Sequence, residues 1–338
     1  MNATRGGDVL RFVSIRLLTY VILAFVATSF AYLLAASLLH PEEVLYPPMA
    51  TEPVPAATAQ EYLNVRNVNP ATPLFERYAT WLGGLIRGDL GVTTGTNKAM
   101  VPVMEELGNR VPISLRLVVL GTVIGTVLGV LIGMVTAVRR NGIGDRVATI
   151  LAFLLVSLPT PVVILVVQQT NQGIMDLSGW GLPAINPINP LLPEGSWASI
   201  SYQAKALVMP TIVLALFAAA SYSRYMKVTT LDVLGSDYLR TARAKGLTRG
   251  KAMTKHGLRM ALIPMGQYFA FAVGGAFTGS LFVELMFNWQ GVGRFAVSSI
   301  GMADVNGTAG VVLYTAILTL LSATFADFLQ GLLDPRIR

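Results

Sequence analysis

Six uncharged runs constrain the fold of this chain more than any other feature. They cover residues 17–39, 117–138, 147 to about 167, 206–223, 261–283 and 305–326. A helix needs about 20 apolar residues to cross about 30 Å of hydrocarbon, and the runs reach or approach that length. Hydrophobic residues make up 53% of the chain and charged residues 13%, a composition typical of multi-pass membrane proteins. The sequence therefore predicts an all-α membrane protein with six transmembrane helices.

The first run follows three arginines, Arg5, Arg11 and Arg16, and could be read as a secretory signal. Its uncharged length exceeds the roughly 7–15 residues of a signal-peptide core. We therefore expect residues 1–39 to form the N-terminus and a retained first transmembrane helix.

The basic residues predict the orientation. With the N-terminus inside and six crossings, the inside segments hold 17 of the 25 lysines and arginines, and 12 of the 18 acids fall outside. Cytoplasmic loops carry the excess of basic residues in membrane proteins. Both termini are therefore expected in the cytoplasm, and the formal charge of +7 requires no nucleic acid as a partner.

A long first external loop is predicted at residues 40–116. The stretch at 41–73 is rich in Pro, Ala, Thr and Glu and predicts no regular element. A helix is expected next, with Thr72 as its cap, Pro73 as its first residue, and apolar and aromatic residues between 74 and 86 at helical spacing. This helix would lie at the membrane interface or pack on the outer surface of the protein itself.

Small and polar residues suggest how the membrane helices meet. Gly121, Gly125, Gly129 and Gly133 occupy every fourth position of the second run, and Gly275 and Gly279 repeat the spacing in the fifth, which predicts close helix packing. The third run contains "SLPTP", for which a plain kink is preferred to a bend in a substrate path. Gln168, Gln169 and Gln267 could line a translocation path or bond between helices.

Several chemistries find no support in the sequence. There is no cysteine, and the two histidines, His40 and His256, are far apart, so no metal site is expected. The segment "GLTRGKA" lacks the spacing and the hydroxyl of a phosphate-binding loop, and no hydrolase motif occurs. No run carries a charged residue near its centre, which disfavours an ion-coupled carrier. We expect no catalytic residues, and any driving energy would enter through a partner.

One dense basic segment, "YLRTARAKGLTRGKAMTKHGLRMALIP" at 238–264, stands between the fourth and fifth runs. It could bind anionic membrane lipids, bind nucleic acid, which its lack of interleaved aromatic residues disfavours, or dock a cytoplasmic partner. Gly246 separates two predicted helices, 232–245 and about 248–257, with Thr248 as a cap and Pro264 at the start of the fifth run. Small residues around Gly246 would allow a partner backbone to approach, which favours docking.

The segments "DYLRTARAKGL" and "KHGLRMALIP" resemble the cytoplasmic coupling loop of ATP-binding-cassette import permeases, in the dipeptide, oligopeptide and nickel branch. "RYATWLGGLIRGDLG", "VPVMEELGNRVPISLRL", "SLPTP" and the closing "LLDPRIR" agree in the same order, so the resemblance covers most of 9–39 and 74–338. Departures are Gly257, Met260, "FNWQGVGR" and the insert at 41–73. They leave the cargo open.

The resemblance implies a type I importer permease in a prokaryotic cytoplasmic membrane, with a core domain at 117–338 and a coupling loop at 224–260. Its partners would be a second homologous permease, cytoplasmic ATPases that bind ATP and Mg²⁺, and an external binding protein; this chain itself would hold no cofactor. Peptides are the expected cargo, with a nickel chelate, haem or a glycoside as alternatives. The residues expected to couple to the ATPase are Thr241, Ala242, Arg243, Ala244, Lys245, Gly246, Leu247, His256 and Pro264.

Two other classes remain as alternatives at this point. A self-sufficient secondary carrier or channel would transport without ATP, and such folds often show internal repeats, which we do not find between residues 1–170 and 171–338. A membrane scaffold would use the basic loop as a lipid anchor. Its binding would fall gradually as basic residues are removed, whereas docking would depend on Ala244 and Gly246.

Overall fold

The computed structural model describes residues 3–45, 55–94, 100–193, 195–252 and 257–333. Over these ranges the regular secondary structure is helical, apart from an isolated bridge between Val92 and Pro102, and turns and irregular segments connect the helices. The helices are α1 (Ala3–Leu38), α2 (Ala56–Val65), α3 (Leu74–Ile86), α4 (Val103–Val138), α5 (Ile143–Ser157), α6 (Thr160–Ser178), α7 (Trp197–Gly235), α8 (Asp237–Ala244), α9 (Arg249–Ala252), α10 (Leu258–Met286), α11 (Val292–Gly301) and α12 (Val305–Leu333), with a short 3-10 helix at Pro41–Leu45.

Four of the helices are long and apolar enough to cross a membrane. They contain the segments Ile15–Leu38, Val103–Val138, Trp197–Gly235 and Val305–Ala326, which confirms a multi-pass membrane protein. The predicted fourth run, the shortest by sequence, lies in the 39-residue α7. The predicted fifth run lies in the 29-residue α10.

The predicted third run is not one kinked helix. It is divided into α5 and α6, whose axes are bent by 113°. Leu158 is extended (φ −80°, ψ 136°) because the ring of Pro159 disfavours helical backbone in the residue before it. Pro161 then fits the first turn of α6, where its missing N–H would have no helical partner. The prolines therefore end one helix and begin another.

The chain divides into two compact units, residues 1–112 with 294–320 and residues 113–293 with 321–338. The core of the first unit is aromatic. Tyr32 of α1 stacks on Trp81 of α3, with ring centroids 4.5 Å apart, and both side chains are buried. The Tyr78 hydroxyl bonds to the Ser29 hydroxyl at 2.8 Å. Thus α3 packs on the protein itself, the second of the two alternatives, while its opposite face remains exposed at Phe75 and Ile86.

Two local expectations for the first unit were wrong. Residues 41–73 are not devoid of regular structure, since they contain Pro41–Leu45 and α2. Pro55 is the N-cap of α2, which contains no proline, and buried Leu63 anchors that helix in the core. Thr72 does not cap α3. Pro73 holds the N-cap position instead, because its fixed φ suits the start of a helix.

Buried polar groups join the insert to the start of α12. Asn306 donates to the backbone carbonyl oxygens of Arg66 and Val92, both at 3.0 Å. The carboxylate of Asp304 accepts the Gly307 N–H at 2.9 Å, which caps the helix. Burial raises the pKa of Asp304, although the Arg66 guanidinium opposes that shift. The insert is therefore part of the packed unit.

In the second unit α7 is the central helix, packed against α4, α5, α6 and α10. The order of contacts fixes the relative directions. Gly121 and Gly133 of α4 face Leu214 and Ser223 of α7, so these two helices run parallel. Tyr222 of α7 packs edge-on against Tyr268 of α10, with centroids 5.1 Å apart, and the clusters on either side place α10 antiparallel to α7.

Candidate functional site

The loop between α7 and α10 is built from two short helices and a glycine turn. Helix α7 ends at Gly235, and Ser236 is extended (φ −72°, ψ 148°) before α8 begins at Asp237. The predicted helix at 232–245 is therefore two helices. The Ser236 hydroxyl bonds to the Val233 carbonyl oxygen at 2.6 Å. A serine that bonds to the backbone in this way competes with helix continuation.

One face of this loop is anchored in the protein. Leu239 of α8 and Ala252 of α9 are fully buried, and they share a cluster with Met226 of α7 and with Ala261 and Met265 of α10. Buried apolar contacts of this kind make the loop part of the α7–α10 packing unit, since separating them would expose apolar surface.

The opposite face is exposed. It carries Thr241, Ala244, Lys245 and Gly246. Ala242 and Leu247, which were predicted as part of the same coupling surface, are half-buried and pack against the inner cluster. Helical periodicity explains this division, since residues three apart, such as 239 and 242, lie on one face of α8.

Gly246 makes the turn between α8 and α9. Its φ is +91°, and a Cβ at this position would meet no described atom within 4 Å. The requirement for glycine is therefore conformational, because residues with a Cβ rarely adopt that φ. Thr248 caps α9 as predicted, with its hydroxyl oxygen accepting the Lys251 N–H at 3.4 Å.

The remaining predicted coupling residues are only partly described. His256 lies outside the described residues, and so does the side chain of Arg243. Pro264 does not mark the start of a membrane helix. It lies inside α10, which begins at Leu258. A proline is tolerated in a helix interior where neighbouring groups satisfy the freed backbone carbonyl.

An ion pair that the sequence analysis missed lies near this loop. Lys227 of α7 bonds to the buried carboxylate of Asp145 in α5, and the Asn141 N–H donates to the same carboxylate at 3.0 Å. Lys227 also bonds to the Thr149 hydroxyl at 3.1 Å. The pair fixes the α4–α5 turn to α7. Its partners are 82 residues apart, so no local pattern indicates it.

The four glycines of α4 lie directly against α7. A Cβ added to Gly121 would fall 2.4 Å from the Leu214 Cβ, and one on Gly125 would fall 2.5 Å from the Ala218 Cβ. At Gly129 and Gly133 the nearest atoms would be 2.6 and 2.5 Å away, on α7 again. These distances are shorter than any normal carbon contact. Gly275 and Gly279 lie in α10, but their surroundings are outside the described part of the chain.

Of the three glutamines, the structure describes the side chains of Gln168 and Gln169. Gln168 donates to the Met286 carbonyl oxygen at 3.3 Å, a bond between α6 and α10, whereas Gln169 is exposed. The side chain of Gln267 lies outside the described part. Nearby Asn171, which the sequence analysis did not single out, bonds to both the carbonyl oxygen and the N–H of Leu182, at 3.0 and 2.9 Å.

A buried acid stands near the C-terminal end of α10. Glu284 lies one residue beyond the predicted run and is fully buried. Its carboxylate accepts the hydroxyl protons of Ser114 at 2.7 Å and Ser280 at 2.9 Å. Ser114 in turn accepts the Val292 N–H at 2.8 Å, and a Cβ on Gly291 would fall 2.4 Å from the Glu284 carboxylate. This acid therefore ties the turn after α10 to α4.

Comparison with known proteins identifies the family. Residues 129–338 match the family described as the binding-protein-dependent transport system inner membrane component. That match covers more than half of the chain and includes the loop between α7 and α10. The chain belongs to this family.

Curated relatives agree with the assignment. The oligopeptide transport system permease protein OppB of Mycobacterium tuberculosis (strain H37Rv) is 39% identical over 97% of this chain and 99% of its own length. The dipeptide transport system permease protein DppB of Escherichia coli K12 is 30% identical over 79% and 81%. The oligopeptide transport system permease protein AppB of Bacillus subtilis is 30% identical over 78% and 81%. The resemblance stated from the sequence is confirmed.

Proposed function

We propose that this chain is the permease subunit of an ATP-driven importer in the cytoplasmic membrane of a prokaryote, and that it forms half of a pathway for di- or oligopeptides. The support is its membership in a family of permease components whose curated relatives are named for peptide transport. A second homologous permease supplies the other half, an external binding protein delivers the peptide, and ATP with Mg²⁺ is bound by cytoplasmic ATPase subunits.

The loop between α7 and α10 is the proposed contact with the ATPase. The proposal rests on the observation that the loop has one buried face and one exposed face. Leu239 and Ala252 are buried against the membrane helices, while Ala244, Lys245 and Gly246 are exposed. Small exposed residues let a partner backbone approach, and Lys245 together with Arg243 would meet acidic or carbonyl groups there.

ATP-driven closure of the ATPases would move this loop, and the buried anchor would pass the movement to α7 and α10. Because protein interiors are close-packed, a displaced Leu239 carries its neighbours with it instead of sliding past them. The membrane helices would then alternate between inward-open and outward-open arrangements.

The topology proposed is six crossings with both termini in the cytoplasm. The parallel directions of α4 and α7 support it. Two parallel helices in one membrane require the chain between them to cross back once, and α5 with α6 is the segment available for that crossing. The loop carrying α8 and α9 then lies on the side that the basic residues assign to the cytoplasm.

The test uses the whole transporter reconstituted in liposomes, with peptide uptake and ATP hydrolysis as readouts. Gly246→Leu should abolish ATP-dependent uptake while leaving membrane insertion intact, because leucine disfavours the φ of +91°. Arg240→Gln is the matched control, since Arg240 is exposed on the same loop and its ion-pair partner among the described residues is the exposed Asp237. Full uptake by the Gly246→Leu transporter would contradict the proposed docking surface. A loss of uptake from Arg240→Gln, with full uptake by Gly246→Leu, would point to charge-dependent lipid anchoring.

The partners and the cargo are tested by purifying the tagged chain from its native membrane in mild detergent, with mass spectrometry of what is retained. An ATPase, a second permease and a binding protein carrying a peptide are expected. Transport by the chain alone, without ATP, would refute the importer, and a binding protein loaded with a chelate, haem or sugar would refute peptide as the cargo.

A further inference from the structure

A groove on the membrane face of the second unit runs between α4 and α7. It has a volume of about 520 Å³ and is lined by apolar side chains from both helices, with Thr211 as the only polar lining residue among those described. Leu120 and Ile132 mark its extent along α4. Twelve residues of helix cover about 18 Å, close to the roughly 15 Å of one leaflet. The groove therefore has the length and the chemistry to hold a lipid acyl chain.

A second pocket continues the groove at the C-terminal end of α4. The groove and this pocket share Ile132. The pocket has a volume of about 560 Å³. Beyond Ile132 it is lined by Val135 and Thr136 of α4, by Arg139, which follows that helix, and by residues of the α4–α5 turn. Arg139 is exposed. Asp145 also lines this pocket, but its carboxylate is already bound by Lys227. Among the described residues that line this pocket, Arg139 thus provides the charge that a ligand can bind.

We propose that the joined groove and pocket form a site for an anionic glycerophospholipid of the cytoplasmic leaflet. Its acyl chain lies along the part of the groove nearest the pocket, at Leu128 and Ile132, and Arg139 binds its phosphate. An apolar groove that ends in a basic pocket matches a lipid with an apolar tail and a negative head. Basic pockets between membrane helices on the cytoplasmic side are a recurring way to bind such head groups.

The positive charge of Arg139 and its position at the cytoplasmic end of the groove favour a lipid over a helix of another protein. A transmembrane helix of a partner would cover the apolar groove but would leave the arginine at its end without a matching group. The orientation proposed above places Arg139 in the cytoplasmic leaflet, where anionic lipids give the surface its negative potential. The inference rests on that orientation and not on the peptide cargo, so a different cargo would leave it intact.

The test measures phospholipid retained by the intact purified transporter, using native mass spectrometry after incubation with phosphatidylglycerol or phosphatidylcholine. Arg139→Gln should lower phosphatidylglycerol retention about fivefold, the factor expected from one basic residue near the surface. Arg140→Gln is the matched control. It removes the same charge from the next residue, which does not line the pocket, and should leave retention unchanged. Arg139→Lys should retain the lipid.

Equal losses from the two Gln variants would mean diffuse attraction to basic residues and would overturn the site. The same holds if phosphatidylcholine is retained as well as phosphatidylglycerol. A benzophenone amino acid placed at Leu128 identifies the occupant of the groove directly. A lipid adduct supports the proposal, and an adduct with the second permease or with another copy of this chain would overturn it.

Discussion

Replacing one glycine of α4 by alanine tests whether the contact between α4 and α7 is as close as the structure indicates. Gly125 is the most informative position. A Cβ there would lie 2.5 Å from the Ala218 Cβ, 2.6 Å from the Ala215 carbonyl oxygen and 2.9 Å from the Ala215 Cα. Two of these three atoms belong to the backbone of α7, so no side-chain rotation can relieve the overlap. The helices would have to separate by about 1 Å to restore normal contact distances.

Separation of two packed helices weakens all the contacts along their interface. Overpacking of a close-packed site usually costs about 1–3 kcal/mol, and glycine-mediated helix contacts are where van der Waals packing contributes most in membranes. Alanine offsets part of this cost, because it favours a helix by about 1 kcal/mol over glycine. We expect Gly125→Ala to lower the free energy of unfolding by about 1 kcal/mol.

Gly108 supplies the control in the same helix. An added Cβ there meets no described atom within 4 Å, so Gly108→Ala should keep the helix-propensity gain without the overlap. The two variants should then differ by about 2 kcal/mol, roughly a 30-fold difference in the unfolding equilibrium. Unfolding in mixed micelles, followed by the fluorescence of the four tryptophans, measures this difference. If Gly125→Ala were as stable as Gly108→Ala, the close contact of α4 with α7 would be refuted.

Substitutions at Gly246, in the Asp145–Lys227 pair and at Glu284 test three other contacts. Gly246→Ala should cost about 1–2 kcal/mol because of the positive φ, so it should lower the thermal midpoint of the chain slightly and weaken binding of the ATPase in a pull-down. Lys227→Met should destabilise the chain by about 2–3 kcal/mol because buried Asp145 loses its partner, and adding Asp145→Asn should restore most of that loss in the same unfolding assay. Glu284→Leu should cost about 2 kcal/mol because the hydroxyl groups it binds lose their acceptor. Glu284→Gln, which keeps an acceptor, should cost less, and equal costs would contradict this reasoning.

The membrane helices could be predicted largely from the sequence because their signal is local. A run of about 20 uncharged residues has few alternatives to a transmembrane helix. The glycine repeat of α4 is local in the same way, and it indicated close packing without identifying α7 as the neighbour. The family likewise followed from short motifs in the right order, the strongest of them at 238–264.

Features set by distant contacts could not be predicted. "SLPTP" indicated a break, but prolines specify where a helix ends and not the 113° angle at which the next one leaves. The Asp145–Lys227 pair and the bonds of Glu284 to Ser114 join residues far apart in the chain. Local propensity also failed in the insert, since α2 begins directly after Pro55 and is held by the burial of Leu63.

The packing of the second unit connects the loop that carries α8 and α9 to several of the long helices. The loop lies between α7 and α10 in the chain, and its buried residues contact both. Helix α7 is in turn joined to α4 by the four-glycine contact and to α5 by the Asp145–Lys227 pair. A force on the exposed face at Ala244–Gly246 therefore reaches α4, α5, α7 and α10 through direct contacts. Because the glycine contact leaves almost no free space between α4 and α7, these two helices should move as one body, and the Asp145–Lys227 pair should carry the start of α5 with them.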